Sequence, residues 1–207
     1  MNLSKKELAV LENADFLLTK GEALKKIRAL LVLTRQELTK SLSTSSFRFP
    51  KGMELTKGKI SRGENYQKLP YLVLDYPGLF TIESIFAFRV MFWWGHFFSA
   101  TLHLQGMPLA QHRSSISENL DGLISRNVFI GVGDSPWHYH YEQDNYVPVN
   151  GSHRDLINNL SFIKLSRKLE LKNWREVPSF SVDFLHYLLS VLKPDLTRSL
   201  SHSQNDG

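Results

Sequence analysis

Residues 85–105 carry the strongest period-two pattern in the chain. Read as a strand, the first half puts Phe86, Phe88, Val90, Phe92 and Trp94 on one face and Ala87, Arg89, Met91 and Trp93 on the other, because successive strand side chains alternate faces. After Gly95 the even positions Phe98, Ala100, Leu102 and Leu104 are again apolar, and the odd positions Ser99, Thr101, His103 and Gln105 are polar or small. The pattern predicts a hairpin. A two-residue loop at Gly95-His96 would put Phe92 and Ser99 on one face. A three-residue loop, Gly95-His96-Phe97, pairs Trp94 with Phe98, Phe92 with Ala100, Val90 with Leu102 and Phe88 with Leu104. That second register unites the apolar face, and burial of the hydrophobic set selects register. On the opposite face it pairs Trp93 with Ser99, Met91 with Thr101 and Arg89 with His103. The window 85–104 is long enough to span a bilayer. The ionisable Arg89, His96 and His103 within it, together with the period-two sorting, predict a sheet instead.

Elsewhere helical spacing alternates with short apolar runs. Ser4-Lys-Lys-Glu7 is a capping-box pattern, and Leu8, Leu11, Ala14 and Leu18 continue it. Thr19-Lys-Gly-Glu22 reads as a second box opening a helix striped by Leu24, Ile27, Leu31 and Leu38, so the N-terminus is expected to be a helical hairpin broken at Lys20-Gly21. Residues 53–60 and 69–76 are expected strands flanking a loop over 61–68, with Asp75 ending the second strand before Tyr76-Pro-Gly. A helix is expected over 108–125, where His112 lies at the edge of the apolar face as a packing residue. A buried strand follows over 128–133, then a short helix over 152–160 and a strand over 162–171. The clearest helix spans 178–193, with proline at its start and Pro194 beyond its end. His186 lies away from its apolar stripe and reads as a surface histidine. The expected fold class is α+β: an antiparallel sheet with helices packed on one face and an N-terminal helical hairpin. The expected division is a helical hairpin over 1–46 packing on the main domain, an α+β domain over 47–194 and a mobile tail over 195–207.

Composition narrows the function classes. With 42% hydrophobic residues the chain can bury a substantial core. It contains no cysteine, which removes disulfides, thiolate metal sites and cysteine nucleophiles and fits a reducing cytoplasm. No apolar stretch precedes the charges of the first eight residues, so no signal peptide is expected. Residues 1–68 hold 14 Lys/Arg against 7 Asp/Glu, a balance of +7, and the remainder carries −2, which gives the net +5 of the chain. The basic first third interleaves its charges with acids and carries no nucleic-acid-binding motif. It reads as a solvated helical face, and neither a nucleic-acid partner nor a membrane is expected.

The candidate chemistry lies in two places. Arg89 beside His103, with Trp93 and Met91 as an apolar floor, would form a patch for a small anionic or aromatic ligand, or for a protein partner. The neighbouring positive charge would disfavour protonation of His103. The densest ionisable run is Trp137-His-Tyr-His-Tyr-Glu-Gln-Asp144. On a strand, His138, His140, Glu142 and Asp144 would share a face, and imidazoles two residues apart can ligate one metal with a carboxylate completing the site. The His-x-His step is similar to the first half of a cupin metal motif, but Glu142 follows too closely and no second half is present. Gly131-x-Gly133 runs into Asp134-Ser-Pro136, without the third glycine of a dinucleotide-binding turn. No nucleophile elbow, phosphate-binding loop or His-Glu-x-x-His pattern is present, and no cofactor is implied.

The segments Leu69-Pro-Tyr-Leu-Val-Leu-Asp-Tyr-Pro77 and Phe92-Trp-Trp-Gly95 resemble a group of uncharacterised bacterial proteins of about this length, mainly over residues 58–148. The resemblance implies no activity and no site. The leading expectation is therefore a binding or accessory module using the Arg89/Trp93/His103 face. The alternative is a metal-dependent enzyme using His138 and His140.

Overall fold

The computed structural model describes residues 2–193; the expected tail over 195–207 lies outside the described residues. The fold is α+β, built on one antiparallel sheet of seven strands. These are β1 (Lys59–Tyr66), β2 (Leu69–Phe80), β3 (Ile85–Trp93), β4 (Phe97–Gln105), β5 (Phe129–Gly131), β6 (Tyr146–Pro148) and β7 (Phe162–Glu170). Their order across the sheet is β1-β2-β3-β4-β7-β5-β6. The helices are α1 (Lys5–Glu12), α2 (Ala14–Leu42), α3 (Met107–Glu118), α4 (Leu120–Ser125), α5 (His153–Asn159) and α6 (Val177–Val191), with a 3-10 turn over Leu171–Glu176 before α6.

Face selection in the central hairpin follows the period-two pattern. Phe86, Phe88, Val90 and Phe92 of β3 join Phe98, Ala100, Leu102 and Leu104 of β4 in the main apolar core. Leu31 and Leu38 of α2 and Phe184, Leu185 and Leu188 of α6 close that core from the helical side. On β7 the same alternation sends Ile163 and Leu165 into it.

The pairing within the hairpin differs from the expected register. Its loop is Trp94-Gly95-His96, so Trp93 pairs with Phe97, Phe92 with Phe98, Val90 with Ala100 and Phe88 with Leu102. Arg89 therefore faces Thr101, and His103 faces Ala87. Moving the turn by one residue shifts every pair by two positions and leaves each side chain on the same face. Periodicity thus specifies the buried face but not the partner. The observed turn brings the His96 imidazole flat onto Trp93, with ring centroids 3.5 Å apart and planes 6° from parallel.

Four other boundaries move. The helix break falls at Asn13, whose side chain accepts from the Phe16 amide at 2.9 Å, and α2 runs through Gly21. A glycine inside a helix costs only about 1 kcal/mol, which the rest of a 29-residue helix absorbs. The expected loop over 61–68 is instead the strand β1 and a two-residue turn, with Gln67 and Lys68 both at positive φ as such hairpin turns require. β1 is an edge strand, and charged side chains at Lys59, Arg62 and Glu64 suit an edge while masking its strand character in the sequence. β2 continues past Asp75 to Phe80 with a register shift between Asp75 and Gly78 and a cis Tyr76–Pro77 bond. The long helix expected over 108–125 divides at Asn119. Among the described residues, no helix is long and apolar enough to cross a membrane.

Candidate functional site

The second face of the sheet is covered by a segment of chain rather than by helices. Residues 132–145, connecting β5 to β6, cross over the odd positions of β3 and β4 and the even positions of β7. Polar side chains rising from the sheet fasten this segment. Tyr66 at the end of β1 accepts from the amides of Tyr139 at 2.6 Å and His140 at 3.1 Å, and its hydroxyl also meets His140 Nδ1 at 3.0 Å. Lys164 of β7 donates to the carbonyl of His138 at 2.5 Å and, at 3.4 Å each, to the carbonyl of Ser135 and to Asn145 Oδ1. Asn145 in turn donates to the His140 carbonyl at 2.6 Å. Deeper in the same layer, Thr101 and Ser166 hydroxyls lie 2.6 Å apart and Tyr141 hydrogen-bonds to Ser166.

Arg89 stands at the end of this layer. Its Nε and Nη2 grip Asp75 bidentately at 2.7 and 2.9 Å, and its Nη1 donates to Tyr139 Oη at 2.7 Å. The guanidinium carbon lies 4.9 Å from the Tyr139 ring centre and 5.8 Å from that of Trp137. Burial works against this charge, but the hydrogen bond to Asp75 and the neighbouring Tyr139 and Asp75 hold its pKa above the ordinary arginine value. Three of the five guanidinium N–H groups are engaged, which leaves two for a further acceptor.

Arg89 borders a cleft of about 340 Å³ lined also by Lys57, Lys59, Asp75, Gly78, Phe80 and Trp137. Trp137 and Phe80 are its exposed aromatic walls. Asp75 is the sole carboxylate in the lining, and Arg89 already neutralises it, so the two lysines leave the cleft positive. Glu54 lies close enough for Lys57 to help lower its pKa, but its main partner is Thr56, which donates to the carboxylate through its side chain and its amide. Gly58 sets the two lysines in place. A Cβ there would lie 2.9 Å from both Tyr76 Cβ and Arg35 Cδ, so only glycine lets this stretch press against β2.

The sequence-derived candidates separate in space. Arg89 reaches the cleft. Trp93 does not: it is 1% exposed, and Tyr66 packs edge-on against it with ring centroids 5.2 Å apart. His103 is 2% exposed, wedged between Trp137 and Phe162 at centroid distances of 5.8 and 5.9 Å. Burial, then the charges of Lys164 and Arg89, push its pKa down to about 3, so it is a neutral interior imidazole. The expected floor of Trp93 and Met91 is thus interior packing beneath the covering segment, and the aromatic surface beside Arg89 comes from Trp137.

His138 and His140 lie on the covering segment outside any strand, with ring centroids 5.4 Å apart. His140 is buried, its Nδ1 on Tyr66 and its Nε2 3.4 Å from Asp144. Among the described residues, no three His, Asp or Glu side chains gather in a way that could hold a metal ion. Without a strand, the shared face expected for His138, His140, Glu142 and Asp144 does not form.

Two arrangements were not visible in the sequence. Lys57 and Lys59 join the cleft from a stretch whose only local signal is Lys-Gly-Lys, and Ser41 hydrogen-bonds to His186 across 145 residues of chain. Among the described residues no carboxylate hydrogen-bonds to the other nitrogen of His186, so this pair lacks the third member that orients a catalytic imidazole. Comparison with protein-family models, with curated proteins and with solved structures returns no match for the chain.

Proposed function

We propose that this protein is a binding module for a small anionic ligand with a planar or aromatic part, held in the cleft between Arg89, the two lysines and Trp137. The observation that carries this reading is the charge balance of the lining. Lys57, Lys59 and Arg89 surround a space whose single carboxylate is already gripped by Arg89. Arg89 is immobilised by three hydrogen bonds, so orienting it costs little further entropy on binding, and its two unused N–H groups suit a carboxylate or phosphate oxygen. Trp137 supplies a flat apolar wall on which a ring can stack.

Titration with benzoate and, separately, with inorganic phosphate tests this reading, followed through the indole N–H resonance of Trp137. A saturable shift is expected, larger for benzoate because it also meets the aromatic wall. Replacing Lys57→Gln and Lys59→Gln together is expected to weaken binding about tenfold, the range of two partly screened charge contacts. Absence of a saturable response to either probe in the millimolar range refutes the reading.

A further inference from the structure

The first eighteen described residues form an arm that buries nothing. Every residue from Asn2 to Thr19 is exposed, and α1 contains no buried side chain. Yet the arm is strongly apolar. Leu8, Val10 and Leu11 of α1 and Phe16, Leu17 and Leu18 at the start of α2 stand in solvent, with Leu11 68% and Leu18 70% exposed. With Leu3, the arm holds half of the exposed large apolar side chains among the described residues. Concentration of this kind marks an interaction surface.

The charges of the arm identify what covers it. The first turn of α1 carries Lys5 and Lys6 beside Glu7, whose carboxylate is engaged by Ser4, and the last turn carries Glu12 with no basic residue. The two lysines and Glu12 sit at the wrong ends for the helix's own dipole, whose amino end favours anions and whose carboxyl end favours cations. A second α1 lying antiparallel corrects both ends at once. It places Leu8 of each copy against Leu11 of the other across a twofold axis near the middle of the helix, and it brings Glu12 beside Lys5 of the partner on the same flank, while Glu7 falls on the opposite flank, held by its own Ser4. The arrangement is self-complementary, as an isologous contact must be. An anionic bilayer is disfavoured because Leu3–Leu18 carries two lysines against three acids, Glu7, Glu12 and Asp15.

We infer that the N-terminal arm is a homodimerisation element, pairing α1 antiparallel with α1 of a second copy of this chain. The contact is small and therefore reversible, with a dissociation constant in the micromolar range. Analytical ultracentrifugation of the full chain across that range is expected to show a monomer–dimer equilibrium. Leu8→Asp/Leu11→Asp is expected to leave a monomer whose thermal unfolding matches the wild type, since neither leucine contributes to the core. Lys5→Glu sets like charges together in two symmetric pairs and is expected to weaken the dimer about tenfold, while Lys5→Glu/Glu12→Lys restores it. A wild-type chain monomeric throughout, a dimer that survives Leu8→Asp/Leu11→Asp, or a double charge reversal that fails to restore association overturns the inference. So does sedimentation of a monomeric chain with vesicles of mixed phosphatidylcholine and phosphatidylserine.

Discussion

Lys164 offers the most demanding test of how the covered face of the sheet is held. Its side chain is 0% exposed, and among the described residues no carboxylate is hydrogen-bonded to its ammonium group. The partners are two backbone carbonyls, one amide oxygen and the faces of Tyr146 and Tyr139, with ring centres 4.7 and 5.3 Å from Nζ. Burial, reinforced by the charge of Arg89, lowers its pKa from 10.5 to about 7. In the unfolded chain the amine keeps its proton up to about pH 10.4. Between these limits the unfolded state binds one more proton than the folded state, so stability rises with pH. The destabilisation is complete below pH 7 and is relieved as pH approaches the unfolded value.

The full shift of about 3.5 pH units corresponds to roughly 5 kcal/mol at 1.36 kcal/mol per unit. A narrower window isolates Lys164 from its neighbours. Below pH 6.5 the depressed His103, His112 and His153 add their own acid sensitivity. Above pH 10 the opposite slope enters, because burial pushes Tyr139 up to about 12 and raises Tyr141 and Tyr146 as well. From pH 7 to 9.5, Lys164 alone is expected to add roughly 3 kcal/mol of stability. Urea unfolding of wild type and Lys164→Met at half-unit steps reads this directly. At pH 7 the variant is expected to be the more stable, since removing a desolvated charge outweighs the ~1–3 kcal/mol lost by leaving the His138 carbonyl and its fellow acceptors without a donor. The difference should shrink or change sign by pH 9.5. Parallel stability–pH curves for the two proteins would refute the argument.

Two further substitutions probe the same layer. Asp75→Ala leaves the Arg89 guanidinium buried with Tyr139 as its remaining hydrogen-bonding partner and is expected to cost about 3 kcal/mol by urea unfolding, whereas Arg89→Met/Asp75→Leu, which removes both charges, should cost less. A single-variant cost below that of the pair would contradict the assignment. Gly131→Ala sets a Cβ 2.8 Å from Lys164 Cε and 3.2 Å from its Cβ, so a loss of about 2 kcal/mol is expected. That loss should shrink in a Lys164→Ala background, which removes the Cε contact and keeps the Cβ one, and an undiminished loss there would place the strain elsewhere.

What the sequence made legible depended on how local the determining interaction is. The two faces of β3 and β4 were readable because alternation is a property of neighbouring residues, and both candidate registers preserve it. The pairing itself was not readable, since both turns bury the same apolar set and leave every side chain on the same face. Ser4 and Glu7 announced α1 because the capping box closes within four residues. The break at Asn13 carried no comparable signal against the louder Lys20-Gly21. Arg89 was identifiable as a polar residue inside an apolar run. Its partners Asp75 and Tyr139 lie 14 and 50 residues away, and one of them sits on a segment with no periodicity at all. Trp93 and His103 shared its face in the sequence, but only the fold shows that Tyr66 and Trp137 cover them.

The covering segment links these observations. The polar side chains beneath it have a structural task, because an irregular stretch laid over a sheet needs partners for its backbone groups. Tyr66, Lys164 and Asn145 supply them for residues 135–140. Side chains of the segment itself complete the attachment: Tyr139 meets Arg89, His140 meets Tyr66 and Tyr141 meets Ser166. This attachment explains why the open chemistry appears only where the segment ends its crossing, at Arg89. There the guanidinium is committed to Asp75 and Tyr139 and borders the cleft that Lys57 and Lys59, at the start of β1, also line. If Lys164 is removed and the covering segment loosens, Trp137 loses its fixed position beside Arg89. The affinity for benzoate should then fall while that for inorganic phosphate, which draws on charge alone, is retained. Equal loss for both probes would mean that the segment positions Arg89 itself, through Tyr139, rather than only the aromatic wall.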